Sequence, residues 1–338
     1  MQRRSFIHAG VQSSVALAAP GLIGISVLTG TAQAQSGAFP NRGLRIVVPY
    51  PAGGATDATA RLIGEKLAKV LGQSVVIDNK TGASGAIGCA EVAKAPADGY
   101  TLLYSLNDPL INNTVLVKNL PYDPQKDFRF VAAILRSPAL MSVPASMGVK
   151  NFAEFKAFAA TGGKQVSYGS WGIGSLGHLA GETLAKEMKF TAVHVPQRGE
   201  APVLQDLLTD TINCGWTSAG TARPHALAGK IVPLAMMGPN RSSALPNVPT
   251  FRELGVSDSF FDRSVWMAFS VPARTPDAVV ARLSTEIQAI ANSAEVIGVI
   301  KERGLEPMVT GPQQAQAMYA EEFPVITQRL RDLGIEPS

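Results

Sequence analysis

Apolar positions from residue 44 onward alternate between short β-branched runs and longer stretches at helical spacing, with glycine-rich turns between them. The run Leu44–Val48 predicts a strand, and the apolar positions from 57 to 71 predict a helix that ends at Gly72. The next predicted elements are strand 75–77, helix 82–95 and strand 100–104. Alternating elements of this kind are typical of a largely parallel sheet with helices on both faces.

A second series with the same alternation follows after residue 165, and the chain then ends in helices. The predicted strands are 166–170, 191–195, 211–216 and 231–236. The predicted helices are 175–188, 201–208, 222–228, 276–292, 294–303 and 312–333. Two series in one chain predict two α/β domains with a cleft between them.

Composition narrows the class of protein. With 338 residues, 46% of them hydrophobic and 17% charged, the chain is not intrinsically disordered. Two cysteines, Cys89 and Cys214, cannot hold together a disulfide scaffold of this length, and whether they pair is left open. The formal charge of +4 comes from scattered basic residues, which excludes a nucleic-acid partner.

The amino-terminal segment has the features of an export signal. Arg3 and Arg4 precede an apolar run over 11–29, and no charged residue occurs between positions 5 and 41. Ala32 and Ala34 form an A-x-A ending, so residues 1–34 are predicted to be a signal peptide that is cleaved after Ala34. The paired arginines also fit a twin-arginine signal, and the choice between the two export routes stays open. We therefore expect a periplasmic protein.

The turn at 53–57, Gly-Gly-Ala-Thr-Asp, passes from a predicted strand to a predicted helix. Free backbone N–H groups and the positive end of the helix dipole favour an anion at such a place. Thr56 could add a hydroxyl donor. An ordinary turn capped by Thr56 or Asp57 would have the same sequence.

The turn at 172–177, Gly-Ile-Gly-Ser-Leu-Gly, matches the G-x-G-x-x-G pattern between a strand and a helix. An exported NAD(P)-dependent oxidoreductase that uses this loop is therefore an alternative hypothesis. The acidic residue expected at the end of the following strand is missing, because Gln197 follows that strand and Glu200 lies beyond it. The loop can also hold a simple anion, with Ser175 as a hydroxyl donor.

Metal and nucleophile sites find little support in the sequence. His178 and Glu182 share a helix face, but no third ligand lies near them. A G-x-S-x-G elbow is absent, and the nearest match, at 82–86, lacks the final glycine. The sequence therefore favours binding without chemistry: no enzyme, no cofactor and no metal.

Several ordered motifs together resemble one family. In chain order they are Pro-Tyr-Pro-Ala-Gly-Gly-Ala-Thr-Asp at 49–57, Asp-Gly-Tyr-Thr-Leu-Leu at 98–103, Leu-Pro-Tyr-Asp-Pro at 120–124, Gly-Ser-Leu-Gly-His-Leu-Ala-Gly-Glu at 174–182, His-Val-Pro at 194–196 and Leu-Pro-Asn-Val-Pro-Thr at 245–250. Over residues 38–338 the chain resembles the Bug family, the periplasmic substrate-binding proteins of tripartite tricarboxylate transporters.

This resemblance implies a type II periplasmic binding protein, in which two α/β domains are joined by crossing hinge strands and close on a ligand. Domain 1 would comprise 38–138 plus 265–338, and domain 2 would comprise 139–264. The crossing strands would lie near 131–143 and 264–271. The implied partners are a small organic carboxylate and two integral membrane subunits, and we expect a monomer.

The resemblance also assigns binding residues, which it places on two sides of the cleft. They are Gly54, Ala55, Thr56 and Asp57 on one side, and Ser175, His178 and Arg198 on the other.

Three departures from the family pattern bear on the ligand. Gln197 stands where an aromatic residue is usual, and Thr217 stands where many members have an acid that can pair with the ammonium of an amino acid. An amino-acid ligand is therefore disfavoured. Trp171 occupies a position that is usually small and, with Trp216, could form an apolar wall. An aromatic carboxylate is thus expected beside aliphatic di- and tricarboxylates, although Trp171 could equally belong to the core.

Overall fold

The computed structural model describes residues 39–161 and 165–335. The predicted signal peptide, residues 1–34, lies outside the described residues. The described chain contains two β-sheets, of six and five strands, with helices packed around them.

The first sheet has the strand order β11-β4-β10-β3-β1-β2. Its strands are β1 (Leu44–Val48), β2 (Val75–Asn79), β3 (Thr101–Leu106), β4 (Phe128–Ser137), β10 (Val265–Pro272) and β11 (Glu306–Thr310). Strand β1 pairs in parallel with both β2 and β3, whereas β10 is antiparallel to both β3 and β4.

The second sheet has the strand order β7-β6-β8-β5-β9. Its strands are β5 (Ala139–Pro144), β6 (Val166–Ser170), β7 (Ala192–Pro196), β8 (Cys214–Ser218) and β9 (Ile231–Met236). Strand β6 pairs in parallel with β7 and β8, and β5 is antiparallel to β8 and β9. Each sheet is therefore mixed rather than largely parallel, because a strand that enters from the other sheet pairs in the opposite direction.

The chain passes between the sheets at two places. Strands β4 and β5 are separated only by Pro138, which has no N–H to donate to a sheet. The return runs from β9 to β10 across residues 237–264. Both crossings thus use β4 and β10, which are neighbours in the first sheet, so the two connections between the sheets lie side by side.

The helices follow the strands in the order that the apolar pattern predicts, with small shifts at their ends. They are α1 (Ala55–Leu71), α2 (Ala86–Ala93), α3 (Asp108–Ile111), α4 (Asn113–Leu116), α5 (Phe152–Ala160), α6 (Leu176–Met188), α7 (Glu200–Leu208), α8 (Ala219–Leu227), α9 (Asp277–Ala291), α10 (Ala294–Glu302) and α11 (Pro312–Asp332). Helices α3, α4 and α5 are absent from the sequence prediction.

The larger of two core clusters contains residues of both sheets and is rich in aromatic pairs such as Trp216 with Phe251. The smaller cluster packs α7 and α8 against the second sheet. Cys89 and Cys214 are buried and free, in α2 and β8 respectively, so they act as small apolar core residues. Within the described residues, no helix has both the length and the apolarity that a membrane crossing requires.

Candidate functional site

A cavity of about 620 Å³ lies between the two sheets. Its walls come from the β1–α1 turn, the ends of β3 and β10, the crossing at Pro138, and the loops that follow β6, β7 and β8. The volume falls in the range of small-molecule sites, which is about 300–1,000 Å³. Six strands therefore direct their ends into one concave site, as is usual for ligand sites in α/β proteins.

On the first-sheet side, the cavity is bounded by the amino terminus of α1. Gly54 is the N-cap of this helix and provides no side-chain hydrogen bond to it. The first backbone N–H groups of a helix lack an acceptor within the helix, so those of Ala55 and Thr56 are available to a ligand. Thr56 is buried, lines the cavity, and its hydroxyl makes no hydrogen bond within the described part of the chain. This end of α1 can therefore receive an anion.

Asp57 lies in the same turn but does not line the cavity. Its carboxylate accepts hydrogen bonds from the Gly53 N–H, the Asn79 amide and the Arg61 guanidinium, at 2.9 to 3.0 Å. Burial alone would raise the pKa of Asp57, but these three donors hold it below its ordinary value. Asp57 thus holds the turn in shape, and any role at the ligand would be indirect.

The opposite wall contains the two charged side chains found among the described residues that line the cavity, Arg198 and Glu200. Arg198 is exposed and has no ion-pair partner in the described chain. Glu200 Oε2 accepts three hydrogen bonds, from the N–H and hydroxyl of Ser218 and from the hydroxyl of Thr221, at 2.7 to 3.1 Å. The negative charge of Glu200 is thus engaged at the start of α8, while the positive charge of Arg198 stays available.

Thr217 lies at the back of the cavity, at the end of β8. The residue is 0% exposed, and its hydroxyl has no hydrogen-bond partner within residues 39–161 and 165–335. A buried hydroxyl without a partner is costly, so this group is one that a ligand could pair only if closure or binding brings an atom within reach of it.

The rest of the wall is mainly apolar. Trp171 contributes an indole from the second-sheet side, and Leu106, Val265 and Met267 contribute from the ends of β3 and β10. The cavity therefore combines hydrogen-bond donors from both sheets with apolar wall residues. Of the residues expected at the site, Gly54, Ala55, Thr56, Trp171, Arg198 and Thr217 line this cavity together.

Ser175 and His178 do not line it. Ser175 is the N-cap of α6, where its hydroxyl accepts from the His178 N–H at 3.3 Å. His178 Nδ1 accepts from the Gly174 N–H at 2.9 Å. Both side chains are thus used to shape the loop before α6. Ser175 does line a smaller neighbouring cavity of about 50 Å³, whose wall shares Trp171 with the larger one.

His178 stacks on His194, with ring centroids 3.8 Å apart and planes 9° from parallel. Burial lowers the pKa of His178 to about 4, and burial together with the neighbouring imidazole lowers that of His194 to about 3. Both rings are therefore neutral at physiological pH. Among the described residues, no group of three or more His, Cys, Asp or Glu side chains could hold a metal ion.

The G-x-G-x-x-G loop at 172–177 does lie between parallel strands β6 and β7, as a dinucleotide fingerprint would. However, Asn112 donates to the carbonyl of Gly174 at 2.5 Å, and a Cβ added at Gly174 would lie 1.9 Å from Leu116. A Cβ added at Gly177 would lie 2.8 Å from the Trp216 side chain. Gly174 and Gly177 are thus required by close packing against neighbouring side chains, which explains these glycines without a dinucleotide.

Sequence reasoning missed several cavity residues. Glu200, Ser218 and Thr221 form the hydrogen-bonded group described above, and Leu106, Pro138, Ala139, Val265 and Met267 form the apolar wall. Their common feature is that they lie at strand ends or at the crossing between the sheets. That signal depends on strand order, which the apolar pattern alone does not provide.

Comparison with known proteins agrees with this geometry. A family model described as the tripartite tricarboxylate transporter family receptor matches residues 59–334. A relative from Pseudomonas sp. strain P51, the UPF0065 protein in the tcbD-tcbE intergenic region, is 32% identical over 315 residues, which cover 93% of this chain and 92% of the relative.

Two solved structures share the fold over nearly the whole described chain. The R. palustris protein Rpa4515, solved with adipate, is 34% identical with a TM-score of 0.83, covering 89% of this chain and 100% of that one. The periplasmic binding protein BugD is 28% identical with a TM-score of 0.81, over 89% and 100% of the two chains.

Proposed function

This chain belongs to the Bug family of tripartite tricarboxylate transporter receptors, which are periplasmic solute-binding proteins. We propose that it captures a small organic carboxylate and delivers it to a membrane transporter. The observation that carries the proposal is the cavity between the sheets, which is lined by the open amino terminus of α1 from the first-sheet side and by Arg198 from the second-sheet side. Both groups favour a negatively charged ligand.

Binding would occur by closure of the two sheets over the ligand. The domains would be 38–138 plus 265–338 and 139–264, a division that the membership of the strands in the two sheets supports. The first N–H groups of α1 and the hydroxyl of Thr56 would bind carboxylate oxygens, while Arg198 and Thr217 would bind from the other side. Closure replaces water by fixed donors, and no covalent step is needed.

The apolar residues of the cavity wall support a ligand with an apolar body, either an aliphatic chain or an aromatic ring. Adipate, the ligand named for the R. palustris relative, has an aliphatic chain between two carboxylates. The indole of Trp171 adds a flat surface on which an aromatic carboxylate could stack. Both ligand classes therefore belong in the test.

The remaining parts of the proposal concern export and partners. Residues 1–34 would direct the protein to the periplasm, with cleavage after Ala34. The loaded protein would then deliver its ligand to two integral membrane subunits. It would act without a cofactor, as a monomer.

The test is a thermal-shift screen of the purified protein after refolding from denaturant, which removes any ligand carried through purification. The panel is adipate, citrate, benzoate, phenylacetate, amino acids and NAD(P). A ligand at 100 times its dissociation constant adds about 2.7 kcal/mol of stability, which raises Tm by several degrees. A carboxylate hit supports the proposal. A response to NAD(P) with none to carboxylates would refute it and favour the oxidoreductase alternative.

A charge-removing variant makes the test specific to this cavity. Arg198→Gln should weaken binding of a carboxylate hit about tenfold, the effect of losing roughly 1.4 kcal/mol from a charge-assisted hydrogen bond. Arg331→Gln, which removes an exposed arginine on α11 outside the cavity, is the matched control and should bind normally. Equal affinities in the two variants would place the carboxylate elsewhere.

A further inference from the structure

The two sides of the molecule touch beside the cavity, where the loop before α6 meets the α3–α4 segment. The indole N–H of Trp171 donates to Asp108 Oδ2 at 3.3 Å. Asn112 Nδ2 donates to the carbonyl oxygen of Gly174, and Leu116 packs tightly against the same glycine. Side chains of the first-sheet side thus hold a loop of the second-sheet side.

Trp171 is the one of these contact residues that also reaches the ligand cavity. Its side chain lies in the wall of the 620 Å³ cavity and in the wall of the neighbouring 50 Å³ cavity, which Asp108 also lines. The indole therefore faces the ligand space while its N–H is held by a carboxylate from the opposite side. A substitution or a change of charge at Asp108 would therefore alter ligand binding by moving the indole of Trp171.

The loop that carries Trp171 is fixed on its own side. Ser170 Oγ donates to the Gly172 carbonyl at 3.0 Å, and the Gly174 N–H donates to His178 Nδ1 at 2.9 Å. The loop is therefore preformed, and the contact with Asp108 requires the two sides to approach rather than the loop to refold.

We propose that Asp108 is a positioning residue that latches Trp171 when the two sides close over the ligand. The proposal rests on the carboxylate-binding function given above. It assigns to Asp108 control over closure rather than contact with the ligand, because this side chain does not line the ligand cavity.

If the latch forms, closure should also take up a proton at Asp108, because the surroundings of this carboxyl favour its protonated form. Burial raises the pKa of Asp108 from 3.8 to about 7, against the opposing effect of hydrogen bonds from Trp171, the Leu176 backbone and Asn112. The negative charge of Glu322 on α11 raises it further. Arg263, before β10, lines a separate cavity of about 10 Å³ together with Asp108 and Glu322. The pKa of Tyr50 in the β1–α1 turn is raised by burial and by Asp108.

The direction of the pH effect follows from burial in the closed form. Opening would expose Asp108 to water and return its pKa toward 3.8, so the closed form binds more protons between these values. With a closed-form pKa near 7, ligand affinity should fall about tenfold between pH 6 and pH 8. His178 and His194 are neutral across this interval and do not contribute.

The first experiment needs no ligand. Trp171 is one of three tryptophans, so its emission is obtained as wild type minus Trp171→Phe. We expect this difference to titrate, with a midpoint between the 3.8 of the open form and the value near 7 of the closed form, and to become independent of pH in Asp108→Asn, whose amide oxygen still accepts from the indole. A difference that does not titrate in the wild type overturns the latch.

The second experiment measures the dissociation constant of the best carboxylate probe from the panel at pH 6, 7 and 8. The wild type should show the tenfold fall in affinity, Asp108→Asn should vary less than twofold, and Asp108→Leu should bind more weakly at every pH. Trp171→Phe, which keeps an apolar wall without the N–H, should resemble Asp108→Leu. A wild-type affinity that does not change with pH, or a profile that Asp108→Asn retains, overturns the proposal.

The two experiments separate failure of the latch from failure of the proposed function. If no carboxylate binds but the Trp171 emission titrates through Asp108, the carboxylate function is wrong and the contact stands. If a carboxylate binds with an affinity that changes neither with pH nor on substitution of Asp108, the proposed function stands and the latch is wrong.

Discussion

Replacing Thr217 by Val should stabilise the empty protein and weaken ligand binding at the same time. The side chain is 0% exposed and its hydroxyl has no partner within the described chain, whereas valine has nearly the same shape without the polar group. A buried hydroxyl without a partner costs about 1–3 kcal/mol, so Thr217→Val should raise the free energy of unfolding by at least about 1 kcal/mol. Binding should weaken about three- to tenfold, the effect of one neutral hydrogen bond.

Thr183 provides a matched control for this substitution. It is 3% exposed, its hydroxyl also lacks a partner in the described residues, and it lies on α6 rather than in the cavity wall. Thr183→Val should therefore give a similar gain in stability without any change in affinity. Urea unfolding of the ligand-free proteins and calorimetric titration with a carboxylate probe from the panel measure the two quantities.

Two results would refute this reasoning. If Thr217→Val destabilises the empty protein while Thr183→Val stabilises it, the Thr217 hydroxyl already has a partner in the empty cavity. If both variants bind with wild-type affinity, the hydroxyl does not face the ligand, and the unpartnered group is a feature of the core alone.

Two further predictions concern the loop before α6. The free energy of unfolding should fall as pH drops from 6.5 to about 4, because His178 takes up a proton near pH 6.5 in the unfolded state but only near pH 4 in the folded state. This residue alone should account for a loss of about 3 kcal/mol. Urea unfolding at pH 7, 5.5 and 4 measures this loss. His178→Asn, whose side-chain oxygen can still accept from Gly174, should lose about 3 kcal/mol less over this pH range than the wild type, whereas His225→Asn on α8 should lose as much as the wild type. Gly174→Ala places a Cβ 1.9 Å from Leu116 at a φ of +71°, so it should separate the two sides and weaken carboxylate binding. Gly148→Ala is the control, because Gly148 has a φ of +73° but no atom lies within 4 Å of an added Cβ, and this variant should only lose about 1 kcal/mol of stability. Recovery of affinity in Gly174→Ala/Leu116→Ala would confirm that the clash is the cause, and unchanged affinity in Gly174→Ala would contradict it.

The sequence predicted the strand–turn–helix units well because each carries its own local signals. Residues 44–48, 166–170 and 231–236 were predicted with the bounds that the structure has. Strand β11 was missed because its five residues, which include Pro307, give no alternating pattern. Helix α5 was missed although Asn151 caps it and accepts from the Glu154 N–H, a start signal that the apolar pattern does not include.

The parallel character of the sheets was overestimated for a different reason. Strands β4 and β5 are almost entirely buried, so their apolar residues form continuous runs without an alternating pattern. Direction in a sheet depends on which strand pairs with which, and β10 pairs with β3 and β4 across more than 120 residues of chain. Local residue patterns contain no information on such distant pairing.

The two glycine-rich turns show why the site was predicted only in part. In sequence they are alike, since each has glycines, a hydroxyl residue and a following helix. In the structure, Gly54 leaves the first N–H groups of α1 facing a cavity, whereas Ser175 caps α6 and Asn112 and Leu116 cover the loop. A helix amino terminus becomes a binding site only where nothing else in the fold satisfies it. The covered turn then gains a second use, because the residues that block it as an anion site are those through which the two sides of the molecule meet.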